Sequence, residues 1–220
     1  EEEFEKALSA GKDVLFTCLS SGISSTINNA FVCKEEMQEK YPDAEICVFD
    51  SICASGGHGL LIYHAIENKK KGMSVKENMQ ALEELKHRIV HKFTVDDLTY
   101  LQRGGRISKT AAVIGGMIQL KPVLHVDTEG RLAAESKVRG RKKALNQLLA
   151  EMDICTGSYA DKQDVVLICH ADCPEDAEYV RSKVEEKYHP NKIIMSEVGP
   201  IVGAHVGPGT MVLIFEGDKR

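Results

Sequence analysis

The chain has 220 residues, of which 43% are hydrophobic and 28% are charged, and its formal net charge is −5. This composition is typical of a globular chain with room for one large domain or two small ones. The negative charge argues against general nucleic-acid binding, which needs a basic surface to neutralise phosphates. No stretch approaches the roughly eighteen apolar residues of a membrane span, and no signal peptide is visible.

The first half of the chain twice repeats a strand, a loop rich in serine or glycine, and a helix. The predicted elements are a helix over 2–10, a strand over 14–18, a helix over 27–41, a strand over 45–49, a loop over 54–59 and a helix over 60–71. This order predicts a parallel sheet with both loops at the carboxyl ends of its strands, where ligands bind. We interpret Asp50 and Ser51 as a cap of the helix that follows them.

The second half predicts a more varied sheet. Its elements are a helix capped by Ser74 and ending near 87, a strand over 93–95, a short helix over 96–102, an edge strand over 121–126 entered through Pro122, a hairpin at Glu129 and Gly130, a strand over 131–138, a helix over 142–152, a strand over 165–169, a helix over 175–187 and strands over 192–197 and 211–215. We place a domain boundary near 87–92.

The loop over 19–26 is the strongest candidate for a binding site. Small hydroxyl residues between a strand and a helix present backbone N–H groups and O–H donors to one point, which suits an anion. The loop lacks the Gly-Lys pair of a Walker loop and the glycines of a dinucleotide fingerprint, so a carboxylate or a single phosphate fits better than a nucleotide. The alternative is that these serines only form a turn and cap a helix.

The seven cysteines and eight histidines do not indicate a metal site. No two cysteines form a Cys-x-x-Cys pair, and the histidines show no metal-ligand spacing. Cys18, Cys47 and Cys169 lie within apolar runs, where a free thiol behaves as a small hydrophobe. A reducing cytoplasm is the simplest location for such a chain.

Five segments carry motifs that are specific as an ordered set. They are Leu-Ser-Ser-Gly-Ile-Ser-Ser-Thr at 19–26, Val-Phe-Asp-Ser at 48–51 with Ser-Gly at 55–56, Leu-Gln-Arg-Gly-Gly-Arg-Ile-Ser at 101–108, Lys-Pro at 121–122, and Gly-Pro-Ile-Val-Gly-Ala-His-Val-Gly-Pro-Gly at 199–209. Together they resemble the DegV family of fatty-acid-binding proteins, some of which present the acyl chain to a partner fatty acid kinase. The resemblance implies a two-domain α/β fold, with a Rossmann-like parallel-sheet domain over 1–87 and an α/β domain with a mixed sheet over 88–220.

The resemblance also implies site residues. The Ser24 hydroxyl matches the serine that binds the fatty acid carboxylate, His205 lies close to the same headgroup, and Arg106 joins that polar network. From the same loop as Ser24 we add Ser21 and Thr26 as ligand-binding candidates. Arg139 matches a basic residue associated with the kinase contact or with phosphoryl transfer. The apolar run over 113–124 is a candidate for part of the tunnel that holds the acyl tail, although ordinary core is an equal alternative.

Two features depart from the family pattern. Ser25 and Thr26 stand where the family has glycine and threonine after the key serine. The family's first strand, with its Asp-Ser motif and a following Thr-Ser loop whose threonine also binds the carboxylate, has no counterpart in this sequence. We therefore expect one headgroup ligand to be absent from it.

The residues themselves leave other functions open. Arg106 is also explained as a helix C-terminal charge, His205 as a loop residue, and the cations over 139–143 as a solvated face or a surface for an acidic partner. A hydrolase or transferase acting on a small carboxylated or phosphorylated substrate would use Ser24 as nucleophile and His205 as acid or base. It would need a third group to orient the imidazole. We predict a monomeric carrier with no cofactor or metal and no catalytic residue.

Overall fold

The strands of the protein form two separate sheets in the computed structural model, which describes residues 1–108 and 120–220. The small sheet pairs β1 (Val14–Cys18) with β2 (Ile46–Asp50) in parallel. The large sheet contains β3 (Ile89–Thr94), β4 (Leu120–Val126), β5 (Leu132–Arg139), β6 (Val165–His170), β7 (Lys192–Glu197) and β8 (Met211–Glu216), in the spatial order β5-β4-β3-β8-β6-β7. Its β6–β7 pair is parallel and its other pairs are antiparallel, which confirms the predicted combination of a parallel and a mixed sheet.

Helices cover both sheets. Within the described residues they are α1 (Glu2–Ser9), α2 (Thr26–Lys40), α3 (Ser55–Lys70), α4 (Val75–Leu85), α5 (Thr99–Arg103), α6 (Arg141–Thr156), α7 (Pro174–Tyr188) and α8 (Pro200–Val206). Short 3₁₀ turns follow α4 and α6, at Lys86–Arg88 and Gly157–Tyr159. None of the helices in these ranges is both long and apolar enough to cross a membrane.

The core is divided into three clusters by the two sheets. Helices α1 and α2 bury Phe4, Ile27 and Met37 against the small sheet. Helices α3 and α4 lie between the two sheets and join Phe49 of β2 to Ile214 of β8 in one central cluster. Helices α6 and α7 cover the opposite face of the large sheet. Because β6 and β8 are buried on both faces, their sequences are continuous apolar runs without polar alternation.

Helix α3 begins at Ser55, five residues before the predicted start, and includes the glycines that we assigned to a loop. A side chain on Gly56 would come within 2.6 Å of Cys169 Sγ, and one on Gly57 would overlap the imidazole of His91. The glycines therefore allow the helix to approach the large sheet closely, and this packing overrides their low helix propensity.

Strand β4 is interior to the large sheet, whereas Pro122 led us to predict an edge strand. The pairing of β3 with β4 runs only from Lys92–His125 to Thr94–Val123. Pro122 pairs with Lys137 of β5 and lies past the end of the β3 ladder. A proline is tolerated here because its missing N–H removes no hydrogen bond to β3.

The Ser74 capping box is present as predicted. The Ser74 hydroxyl accepts from the Glu77 N–H at 3.3 Å, and the Ser74 N–H donates to the Glu77 carboxylate at 2.8 Å. The 3₁₀ turn after α4 leads directly into β3, so the chain passes from the small sheet to the large one near residue 88. The division into domains at this point stays a prediction.

Candidate functional site

A cavity of about 150 Å³ lies between the carboxyl end of the small sheet and one face of the large sheet. Its apolar wall consists of Leu19, Ile23, Ala54, Phe93, Leu101, Val126, Leu132, Val198, Ile201, Val202, Val206 and Val212. Its polar lining consists of Ser24, Ser55, His91, Arg106, His205 and Thr210. The structure thus brings the predicted residues Ser24, Arg106 and His205 to one cavity.

Ser24 stands just before α2 and its side chain organises the start of that helix. Its hydroxyl lies 2.8 Å from Thr26 Oγ1 and accepts from the Thr26 N–H at 3.3 Å. Ser25 is the N-cap residue, yet its side chain forms no capping hydrogen bond. Ser24 is half-buried and borders the cavity, so its hydroxyl is fixed by Thr26 on one side and accessible to a ligand on the other.

The Ser24 loop is held in place by the β4–β5 hairpin. Ser20 is fully buried and its hydroxyl accepts from the Gly22 N–H at 3.0 Å. A side chain on Gly22 would come within 2.8 Å of the Glu129 carbonyl oxygen, and one on Gly130, where φ is +75°, would overlap the Ser20 hydroxyl. The two glycines therefore permit a close contact that connects the small sheet to the large one.

Ser21 and Thr26, the other candidates in the loop, are exposed and do not line the cavity. The Ser21 N–H donates to Asp50 Oδ1 at 3.1 Å, and the Ile52 N–H donates to the same oxygen at 3.0 Å. Asp50 thus ties together the loops that follow β1 and β2. The predicted helix cap at Asp50 is wrong, because the N-cap of α3 is Ala54 and receives no side-chain hydrogen bond.

Gly104 contacts both Arg106 and His205. Helix α5 ends in a Schellman motif: Gly105 has φ +71°, its N–H donates to Gln102, and the Arg106 N–H donates to Leu101. The Arg106 guanidinium turns back to donate to the Gly104 carbonyl. The His205 ring packs against Gly104, where any side chain would overlap it.

His205 belongs to a short helix, α8, and not to the loop that its flanking residues suggested. Pro200 occupies the first turn of α8, and the Thr210 hydroxyl donates to the carbonyls of Val206 and Gly207 at 3.0 and 2.9 Å. Proline at the start and glycine just past the end are typical of a helix. That signal was present in the sequence.

The polar lining suits an anion. Arg106 supplies a fixed positive charge, and none of the described residues that line the cavity is acidic. Within the same residues no hydrogen bond joins Ser24 to His205, so the pair lacks the nucleophile–base contact that a hydrolase needs. The arrangement can hold a carboxylate by hydrogen bonds and charge, with an apolar space next to it.

The sequence matches the family model described as "Uncharacterised protein, DegV family" over residues 1–218. The chain belongs to the DegV family. A DegV domain-containing protein of Clostridium perfringens is 40% identical over 219 residues, which are 100% of this chain and 75% of that protein.

Two solved structures show the same fold. The fatty acid binding DegV family protein SAG1342 from Streptococcus agalactiae superposes with a TM-score of 0.83 at 26% identity, over 99% of this chain and 75% of that one. The Streptococcus pneumoniae Fatty Acid Kinase (Fak) B3 protein loaded with linoleic acid has a TM-score of 0.89, over 99% and 76% of the two chains. Its identity of 20% makes this a likeness of fold.

His91 and Thr210 are polar cavity residues of this DegV chain that the sequence did not indicate as ligand-binding. His91 is 1% exposed and lines the cavity from β3. Burial, assisted by the nearby Arg220 guanidinium, lowers the pKa of His91 to about 3, so the ring is neutral at neutral pH. His91 and Lys92 fell in the predicted boundary segment, before the predicted strand over 93–95, whereas β3 begins at Ile89.

The remaining predicted residues lie away from the cavity or outside the described residues. Most of the proposed tail segment, 113–124, falls in residues 109–119, which lie outside the described residues. Arg139 is exposed at the end of β5 and does not line the cavity. No group of three or more metal-ligating side chains occurs among the described residues.

Proposed function

We propose that this DegV chain binds a long-chain fatty acid, with the carboxylate at Ser24, Arg106 and His205 and the acyl chain along the apolar wall. The observation that carries the proposal is the convergence of these three side chains in an apolar cavity whose described lining has no acid. The DegV protein from Streptococcus agalactiae, described as fatty acid binding, supports it.

The acyl chain supplies most of the affinity in this arrangement. Burial of about fourteen methylenes contributes at most roughly 11 kcal/mol, at about 0.8 kcal/mol for each CH₂. Each hydrogen bond to the charged headgroup contributes only about 1.5–3 kcal/mol before desolvation is subtracted. The apolar wall therefore determines how tightly the acid binds, and the three polar residues determine which end of the cavity receives the carboxylate.

Mass spectrometry of the small molecules released by denaturing the purified protein tests this function. We expect a long-chain fatty acid in stoichiometric amount, or its retention after the protein is incubated with stearic acid. A folded preparation that neither carries nor takes up a fatty acid would contradict the proposal.

Single substitutions test the headgroup site. We expect Arg106→Ala to weaken stearic acid binding by about tenfold or more, because it removes the positive charge from the cavity lining. Ser24→Ala and His205→Ala should act in the same direction. Ser21→Ala is the matched control, since Ser21 is an exposed serine of the same loop that does not line the cavity. Equal affinities in all four variants and the wild type would place the headgroup elsewhere.

We further propose that the bound acid is presented to a fatty acid kinase, with Arg139 at the contact. Arg139 is exposed, and the neighbouring Lys142 and Lys143 are exposed as well, so the three form a basic surface that suits an acidic partner. In this function the protein is a carrier and the kinase performs the chemistry.

Arg139→Glu should leave stearic acid binding unchanged and slow phosphorylation of the bound acid by a fatty acid kinase with ATP. An unchanged phosphorylation rate would exclude Arg139 from the contact.

We also propose that the protein acts as a monomer in the cytoplasm. All seven cysteines are free thiols, and burial raises the pKa of Cys53 to about 12 and that of Cys169 to about 11. Such protonated thiols are compatible with a reducing compartment. Light scattering of the purified protein tests the oligomeric state, and a dimer mass would contradict the proposal.

A further inference from the structure

Arg220 follows β8 and places its guanidinium against the loop that connects β2 to α3. Its Nη1 donates to the Lys86 carbonyl at 2.9 Å, and its Nη2 donates to the Ile52 carbonyl. Nη2 also lies 3.8 Å from the Cys53 sulfur. The side chain is half-buried, and its Nε is fully buried with no hydrogen-bond partner among the described residues. These contacts fix the guanidinium beside the β2–α3 loop.

No carboxylate of a described residue forms an ion pair with Arg220, whose hydrogen-bond partners are two carbonyl oxygens and a thiol. Asp50 and Asp127 are the acids whose charges reach it, but their Oδ1 atoms accept backbone N–H groups. Burial lowers the pKa of Arg220, yet a guanidinium stays protonated at neutral pH. Arg220 is therefore a partly desolvated positive charge whose hydration is not replaced by an ion pair.

Hydrogen bonds connect the loop that Arg220 holds to the loop of Ser24. The Cys53 carbonyl accepts from the Ser20 N–H at 2.9 Å, and the Ser20 carbonyl accepts from the Ser24 N–H at 3.0 Å. The two residues that follow Cys53 line the cavity. Arg220 is thus connected to the wall that carries Ser24, at the end of the cavity where we propose the carboxylate.

The charge of Arg220 also reaches a cavity residue of the large sheet, His91. Burial is the main cause that lowers the pKa of His91, and the Arg220 charge acts in the same direction, because it disfavours a second positive charge on the imidazole. The same charge favours a negative one nearby. At an effective dielectric constant of about 20, a single unpaired charge changes the affinity for an anion several-fold without contact.

We propose that Arg220 is a specificity-determining residue that makes the cavity prefer an ionised carboxylate to a neutral headgroup of similar shape. This inference rests on the proposed fatty-acid function. Arg106 lines the cavity, whereas Arg220 adds a second positive charge through the β2–α3 loop and does not line it. Amides, alcohols and esters with the same acyl chain gain nothing from that charge. The protein therefore discriminates against neutral lipids that its apolar wall would accept.

Competition binding with stearic acid and stearamide at neutral pH tests this inference, because their planar headgroups differ in charge and hardly in shape. We expect Arg220→Met to reduce the preference for stearic acid about three- to tenfold and to leave the stearamide affinity unchanged. Arg220→Lys retains the charge and should keep most of the preference. An unchanged preference in Arg220→Met, equal weakening of both ligands, or a Lys variant as poor as the Met variant would overturn the inference.

Arg88→Met is the matched control. Arg88 belongs to the 3₁₀ turn that precedes β3, and its Nε lies 3.6 Å from a carboxylate oxygen of Glu216. Its charge therefore has a carboxylate beside it, and it does not line the cavity. We expect Arg88→Met to keep the wild-type preference. A loss as large as that of Arg220→Met would reflect the net charge of the protein and would overturn the inference.

A measurement on the unaltered protein covers the case in which Arg220→Met does not fold. The ¹⁵N and ¹H chemical shifts of the Arg220 Nε–H group should change more on addition of stearic acid than on addition of stearamide. Equal changes with both ligands would overturn the inference while leaving the fatty-acid function intact. Failure of stearic acid to bind would instead overturn the proposed function, and this inference with it.

Discussion

The two faces of the large sheet differ in whether a cation there is paired with a carboxylate. His91 and Lys92 are neighbours on β3 and each is 1% exposed, but they point to opposite faces. On the face below α6, the Lys92 ammonium lies 2.8 Å from both carboxylate oxygens of Glu135. On the cavity face, Arg106 has no ion pair with a described carboxylate.

A β-bulge makes the internal pairing possible. Val123 pairs with Ser136 and Leu124 with Ala134, which leaves Glu135 as an extra residue in β5. Bulges of this kind redirect a side chain in an edge strand. The face below α6 thus supplies a carboxylate for its own buried cation, whereas the cavity face does not. This difference supports the proposal that a ligand supplies the negative charge on the cavity face.

The largest expected effect concerns pH and the neutral histidine of the cavity face. Because the folded-state pKa of His91 is about 3 and the unfolded value is about 6.5, the unfolded chain takes up the proton first as pH falls. The neutral His91 ring therefore contributes at most about 5 kcal/mol to the free energy of unfolding. This contribution is fully present above about pH 6.5 and is lost as the pH falls toward 3. Burial also lowers the pKa of His58, His64 and His125, which adds to the same trend.

Urea unfolding at a series of pH values measures this effect. We expect His91→Leu to reduce the loss of unfolding free energy between pH 6.5 and pH 4. His87→Leu, at an exposed histidine, should leave the loss unchanged. If the unfolding free energies of His91→Leu and the wild type depend on pH in the same way, the pKa of His91 does not differ between the folded and unfolded states as we expect.

The next effect concerns the charge pair below α6. Glu135→Ala removes the carboxylate from a buried ammonium, and a fully buried pair broken in this way loses about 3–5 kcal/mol. The Glu135 side chain is 29% exposed, so solvent reduces the expected loss to about 2–3 kcal/mol of unfolding free energy. Lys92→Met is the control, because it removes the charge itself and should be tolerated better.

The stearic acid affinity of the same two variants tests whether the two faces of the sheet act independently. Both Glu135→Ala and Lys92→Met should bind the acid as tightly as the wild type, since neither residue lines the cavity. A large loss of affinity in either variant would show that the two faces are coupled.

A smaller effect is expected at Gly104. Gly104→Ala should displace the His205 ring and weaken stearic acid binding by about tenfold, equivalent to one hydrogen bond to the carboxylate. Gly105→Ala is the matched control. Gly105 has φ +71° but no neighbouring atom within 4 Å of an added methyl group, so this variant should lose about 1 kcal/mol of stability and keep its affinity. Equal stearic acid affinity in both variants would show that Gly104 does not position His205 for ligand binding.

Local sequence patterns predicted most of the fold. Apolar runs located the strands apart from the first four residues of β3, and the Ser74 capping box located the start of α4. Local patterns failed where a distant contact decides the structure. Gly57 lies within α3, despite the low helix propensity of glycine, because its contact with His91 of β3 leaves no room for a side chain. Pro122 lies in an interior strand because the β3–β4 pairing ends one residue away, at Val123.

The candidate site was predictable in part. The resemblance to the DegV family selected Ser24, Arg106 and His205, and the fold brings these residues to one cavity. His91 was missed because the predicted strand began at residue 93, whereas β3 begins at Ile89. Only the tertiary structure then shows which of the two faces of β3 borders the cavity. Ser21 was selected for its place in the loop, but its N–H serves to bind Asp50.

The hairpin between β4 and β5 has a consequence for the size of the ligand. Asp127 Oδ1 accepts from the N–H groups of Glu129 and Arg131, both at 2.9 Å, and so fixes the turn that presses Gly130 against Ser20. This contact holds the β4–β5 hairpin against the Ser24 loop beside the cavity, to which Leu132 and Ile23 contribute. In the proposed function, we therefore expect the length of this surface turn to affect the size of the ligand, together with the lining side chains. Engineering the protein for a bulkier cargo would begin by lengthening that turn, with every residue of the pocket left as it is.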